Sequence, residues 1–144
     1  MSRIQPAPIK DSLTTEDGDI SFPWVTFFNQ LYNGDTGTPW TPSFTNLTVV
    51  GAAPTITGII YRIGQGLAYF SIKIVPGTNT SSTAGSTYVN NFPASVKTPG
   101  PCFAMSGNLG TNAGMVENSS SRVYVPSWSA VTIPLWIVGM CEIQ

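Results

Sequence analysis

The chain holds few side chains able to act on a substrate. Its acidic residues are Asp11, Glu16, Asp17, Asp19, Asp35, Glu117 and Glu142, and histidine is absent. Without an imidazole the common Ser/His/Asp and Cys/His nucleophile arrangements are excluded, as are most zinc sites. A carboxylate pair could still serve a glycosidase, one group as acid and the other as base or nucleophile. Asp17 with Asp19 and Asp11 with Glu16 are the pairs close in sequence. Both fall in a leader without apolar period, where nothing would fix the separation of two carboxylates or drive their pKa values apart. No catalytic role is assigned to them, and the expectation is a protein that is not an enzyme. Glu16, Asp17 and Asp19 around Gly18 offer oxygen ligands of the kind calcium takes, but the spacing departs from a calcium loop and a solvated acidic turn is the simpler reading. Gly64-Gln65-Gly66 and Gly107-Asn108-Leu109-Gly110 do not join a strand to a helix as a phosphate loop would, and read as turns. No metal and no cofactor is expected. Cys102 and Cys141 read as buried free thiols acting as small hydrophobes, with a disulfide between neighbouring strands as the alternative.

The aromatic residues carry more information. In Ser21-Phe22-Pro23-Trp24-Val25-Thr26-Phe27-Phe28-Asn29-Gln30-Leu31-Tyr32-Asn33-Gly34, Pro23 suits a first helical turn and Gly34 the left-handed position past a helix end. Trp24, Phe27, Phe28 and Leu31 then fall at i, i+3, i+4 and i+7 and form one apolar stripe. A helix this short is marginal alone in water, so the stripe must be buried against the chain's own body or a neighbouring chain. These four residues are the candidate assembly interface. The remaining tryptophans and tyrosines admit a second chemistry, since an aromatic face beside hydroxyl-rich loops suits a saccharide. The candidate glycan contacts are Thr78, Asn79, Thr80, Tyr88 and Asn108, in and beside the loops around Thr78 to Ser86 and Asn108 to Ala113. Packing in a core or between subunits accounts for most of these aromatics equally well and is preferred.

The elements that must position these residues follow from composition and period. With 144 residues the chain suits one domain plus an arm. Charged residues are 9% of the total, against roughly a quarter in ordinary soluble domains. Hydroxyls and amides, as in Thr78-Asn79-Thr80-Ser81-Ser82-Thr83, supply the surface polarity instead. With a net charge of −1, such a surface suits a protein packed against copies of itself or against others. The basic residues Arg3, Lys10, Arg62, Lys73, Lys97 and Arg122 are scattered, so no nucleic-acid partner is expected. Met1 to Pro6 lead into polar residues without the apolar centre of a secretion signal, and no apolar run nears the roughly twenty residues of a membrane helix, so no membrane insertion is expected.

Residues 1–40 read as an attachment segment, an extended Pro-containing arm followed by the short helix, and residues 41–144 as a β-body. The arm orders on contact with a partner or remains a flexible tail. In the body, the first strand is expected near Phe44 to Val50. Ala68, Phe70, Ile72 and Ile74 alternate with Tyr69, Ser71 and Lys73, and with Ile56 to Ile63 ahead of them predict a hairpin. Further strands are expected at Thr87 to Phe92, Pro101 to Gly107, Gly114 to Glu117, Arg122 to Val125 and Val131 to Ile143. Seven or eight short strands predict a mainly β fold, an antiparallel β-sandwich of the jelly-roll kind. So apolar a final strand is expected to be paired inside a sheet.

Three passages resemble small virion proteins of tailed bacteriophages, of the tail-fibre and head-fibre (decoration) kind. They are Asp17 to Leu31, an acidic-Gly-Ile entry into Trp and paired aromatics; Tyr61 to Ile74, similar to the hairpin of their β-domains; and Pro76 to Ser82 together with the closing strand. The resemblance implies a virion protein made in the host cytoplasm, a homotrimer with a β-rich body, an N-terminal segment attached to other virion proteins of capsid, portal or tail, and in some cases adhesion to host surface glycan. Unlike long fibres, the chain has no coiled-coil or repeat shaft between arm and body, which favours a compact decoration or head-fibre role.

Overall fold

The computed structural model describes residues 15, 24, 37–63, 66–106, 109–117 and 121–144, of which 109–112 are described by their backbone. The chain divides into two compact units, Met1–Thr36 and Gly37–Gln144. In the first, Thr15 is exposed without regular structure, and Trp24 is helical and half-buried. Phe27, Phe28, Leu31 and the rest of the expected arm and helix lie outside the described residues.

The second unit is built from strands: β1 (Thr38–Trp40), β2 (Phe44–Thr45), β3 (Thr48–Val50), β4 (Thr55–Ile63), β5 (Leu67–Val75), β6 (Asn79–Ser82), β7 (Tyr88–Val89), β8 (Val96–Thr98), β9 (Gly100–Ser106), β10 (Leu109–Val116), β11 (Val123–Tyr124), β12 (Trp128–Ala130) and β13 (Leu135–Ile143). Ten of them form one sheet in the order β1-β4-β5-β13-β9-β10-β11-β7-β2, with β8 also on β13, while β12-β6-β3 form a second. All the pairings are antiparallel. The mainly β, antiparallel expectation therefore holds.

The expected hairpin is present, β4 running against β5 from Thr55 opposite Val75 to Ile63 opposite Leu67. The closing strand is paired on both sides, by β5 and β9. Elsewhere the strand pattern is finer than expected. The run from Phe44 to Val50 is two strands in two sheets, broken at Asn46, whose φ of 58° turns the chain from one sheet to the other. The Asn46 amide donates to the Ser86 carbonyl at 3.2 Å and its own carbonyl accepts from Thr87 Oγ1 at 2.9 Å, so the corner is held from outside. β1, β6, β8 and β12 come from stretches read as loops or left unassigned; β6 falls in the polar run expected to be a binding loop.

The inward side chains of β4, β5, β13, β9, β11 and β7 meet in one cluster, so the long sheet curls over its own core. Ile60, Phe70, Ile72, Ile74, Val89, Val123, Leu135 and Ile137 are all fully buried. Trp40 stands edge-on to Phe92 at 6.1 Å, and Phe92 edge-on to Phe70 at 5.2 Å. Two glycines make room for these rings. A Cβ on Gly58 would come 2.8 Å from the Trp40 indole, and one on Gly139 would come 2.6 Å from Phe70 Cζ.

Candidate functional site

The side chains on the other face of the same strands are the most informative surface of the molecule. An antiparallel sheet with one face in water normally alternates apolar inward with polar outward. Here many of the outward positions are apolar as well, with Thr57, Ser71 and Lys73 among the polar exceptions. The registers align them in rows: Ile59, Ser71, Val138, Phe103 and Ala113 across β4, β5, β13, β9 and β10; Tyr61, Tyr69 and Met140; and Thr57, Lys73, Trp136 and Met105. Phe103 is 46% exposed and Met140 48%. Charge is sparse on this face: among the described outward residues of the five strands, Lys73 and Glu142 carry it. Lys73 holds its ammonium 5.6 Å over the Trp136 ring, and Glu142 sits at the rim paired with Lys97. Large apolar side chains are thus exposed across all five strands, Ile59, Leu67, Phe103, Met115 and Met140 among them.

Towards β2 the outer face changes chemistry. Thr45, Tyr88, Tyr124 and Met115 lie in one row across β2, β7, β11 and β10. Tyr88 and Tyr124 pack at 5.3 Å, and the Arg122 guanidinium lies 4.6 Å over the Tyr88 ring while donating to Tyr124 Oη at 3.5 Å. That hydrogen bond, with the tyrosine charges nearby, raises the Arg122 pKa further above its ordinary value. The cluster is a stacked Arg-Tyr-Tyr ladder whose polar atoms engage one another.

The sequence-derived glycan contacts are not gathered into one site. Thr78, exposed, accepts a hydrogen bond from the Ala52 amide at 3.1 Å and so holds a turn. Asn79 is half-buried and pairs with Val50 in the three-stranded sheet. Thr80 must be corrected: it is fully buried between β3 and β12, and its hydroxyl finds no hydrogen-bond partner. A glycan cannot reach it, because alternation along β6 turns it inward. Tyr88 belongs to the other sheet, with Arg122 over its ring. Asn108 lies outside the described residues, as do Phe27, Phe28 and Leu31. Of the aromatics weighed as sugar platforms, Trp40 and Trp128 pack in or against the core, and Tyr61 packs on Tyr69 at 5.8 Å.

The two cysteines are free and buried. Burial pushes the thiol of Cys102 up to about 12 and that of Cys141 up to about 11, so neither supplies a thiolate nucleophile near neutral pH. An open depression of about 410 Å³ is lined by Arg62, Phe92, Pro93, Ser95 and Gln144 among others, with the Arg62 guanidinium donating to the Pro93 carbonyl at 3.2 Å. Among the described residues there is no group of three or more His, Cys, Asp or Glu able to hold a metal ion, and no helix long and apolar enough to cross a membrane.

The residues that sequence reasoning missed are Ile59, Phe103, Val138 and Met140. A signal for them existed: Trp136 to Met140 is apolar at both parities, the pattern of a strand covered on two faces rather than one. Comparison with protein-family models, with curated proteins and with solved structures found no match to this chain.

Proposed function

We propose that this chain is a structural, non-enzymatic component of a bacteriophage virion, a fibre-like or capsid-decoration protein. The N-terminal unit, Met1–Thr36 with the arm and its short helix, attaches it to capsid, portal or tail proteins. The body, a sandwich of the jelly-roll kind in this reading, associates as a homotrimer. The observation that carries the reading is the outer face of the long sheet, with its Ile59-Ser71-Val138-Phe103-Ala113 row. A monomer in water gains nothing from such a face, whereas a subunit of a permanent assembly needs one.

Adhesion to host glycan has less support. Its candidate residues are divided between two sheets, Thr80 is sealed in, and the Tyr88 ring is covered by Arg122.

The test is incorporation into particles. The double variant Trp24→Ala with Phe28→Ala should be missing from purified virions while its body keeps the β-rich circular-dichroism spectrum of the wild type. A double variant that unfolds throughout would assign the stripe to the body's own core. Particles that never contain the wild-type chain would remove the proposal altogether.

A further inference from the structure

We infer that the outer face of β4, β5, β13, β9 and β10 is covered by another copy of this chain, an inference that rests on the reading of the protein as an assembly subunit. Three observations select a copy over a foreign partner. The first is size. Five strands about 4.8 Å apart and 7 to 9 residues long, at about 3.4 Å per residue, span roughly 24 Å by 29 Å. That is about 700 Å², close to the roughly 800 Å² that each partner buries in a standard stable interface.

The second is charge. A foreign partner recognised electrostatically would meet a field of one sign, but the interior of this face carries only Lys73, already held over Trp136. With nothing to complement, an apolar row such as Ile59, Val138 and Phe103 is matched best by another apolar row, and a second copy supplies one. Net charge of −1 leaves little repulsion between copies. The third is the position of the charges that are present. Lys97, Thr98 and Glu142 join in a hydrogen-bonded group where β8 meets β13, at the rim. Stable interfaces have this anatomy, an apolar centre with a polar margin.

Sedimentation equilibrium of the full chain, over a wide concentration range, tests the inference with three single variants. Val138→Asp and Phe103→Asp place a carboxylate in the central row. Val50→Asp does so on β3 of the other sheet, where Val50 is 56% exposed. The expected result is an associated wild type and an associated Val50→Asp, with both outer-face variants reduced to the mass of a single chain. Their far-UV spectra and denaturation profiles should stay those of a folded body. A wild type that is monomeric at every concentration overturns the inference, as do outer-face variants that remain associated, or all three variants dissociating alike.

A second measurement needs no variant. Met105, Met115 and Met140 are 39%, 48% and 48% exposed on the single chain. Peroxide should oxidise them slowly in the associated protein and faster after dilution. Rates independent of concentration overturn the inference even where an aspartate variant fails to fold. The two readings fail separately: a monomer that still enters particles ends this inference and leaves the structural role, whereas an oligomer never found in particles does the reverse.

Discussion

Apart from Ser71, Lys73 and Glu142 on the outer side, the two faces of β5 and β13 are both largely apolar and meet opposite surroundings. Inward stand Phe70, Ile72, Ile74, Leu135 and Ile137, all fully buried; outward stand Leu67, Tyr69, Trp136, Val138 and Met140, all half-buried or exposed. Side-chain hydrophobicity does not tell these sets apart. Sheet curvature does, because the inner side brings its residues together with those of β7 and β11 in one cluster. On the proposed reading, apolar character on both sides serves two separate events, folding and association, and each should be broken without the other.

The largest expected effect lies on the inner face. Phe70→Ala removes a fully buried ring in edge contact with Phe92 and should destabilise the body by about 3–5 kcal/mol in chemical denaturation. Phe103→Ala, truncated from the outer face, should change the same quantity by under about 1 kcal/mol. The comparison is made on the Val138→Asp background, so that association does not enter the measured stability. Equal losses at the two positions would mean that the faces do not differ in role.

A smaller effect sharpens the contact between inner residues. Gly139 lies opposite Cys102 and beneath Phe70, and an added methyl would have to displace the ring or the strand. Gly139→Ala should cost about 1–3 kcal/mol, as overpacking does. Combined with Phe70→Leu, the loss should be less than the sum of the two, because the shorter side chain vacates the space the methyl needs. Strict additivity would place the strain elsewhere.

How much of this was legible in the sequence depended on length and alternation. Nine-residue strands such as β5 announce themselves, because four alternating residues suffice to fix which face is buried. The closing strand is readable instead from its length and unbroken apolar run. Strands of two or three residues, such as β2, β3 and β12, carry too few alternations to register, and Asn46 was needed to show that one apolar stretch serves two sheets. The candidate site was harder. Polarity suggested that Thr78 to Thr80 form an exposed loop, yet Ser, Thr and Asn are also at home in a short strand, where alternate residues turn inward. The outer face, by contrast, leaves no separate signature, because packing in a core and packing between subunits call for the same residue types.

The same lesson applied to the small sheet gives a prediction of opposite sign. Thr80 is fully buried, and its hydroxyl has no partner within the protein. A buried hydroxyl without a hydrogen bond is unfavourable, and valine has nearly the same shape without it. Thr80→Val should stabilise the body by about 1 kcal/mol in denaturant titration and leave association unchanged. A loss of similar size would mean that the hydroxyl is in fact engaged in solution.

The smallest effect belongs to the rim of the outer face. Glu142 accepts from Lys97 Nζ and Thr98 Oγ1, each at 2.5 Å, and these hydrogen bonds hold its carboxyl below the ordinary glutamate value of 4.5. A carboxyl whose pKa is depressed on folding contributes stability above its unfolded pKa and loses it as the pH falls through the folded one. The denaturation midpoint should therefore decline as the pH drops below about 4.5, and Glu142→Gln should remove a small, salt-sensitive part of that decline, since both side chains of the pair are exposed. Because Glu142 ends the row that begins with Ile63 and Leu67, association should shield the pair from salt. The salt sensitivity should then be weaker at high protein concentration than in the dissociated Val138→Asp variant. If it is the same in both, the copies meet at the centre of the face without reaching its margin.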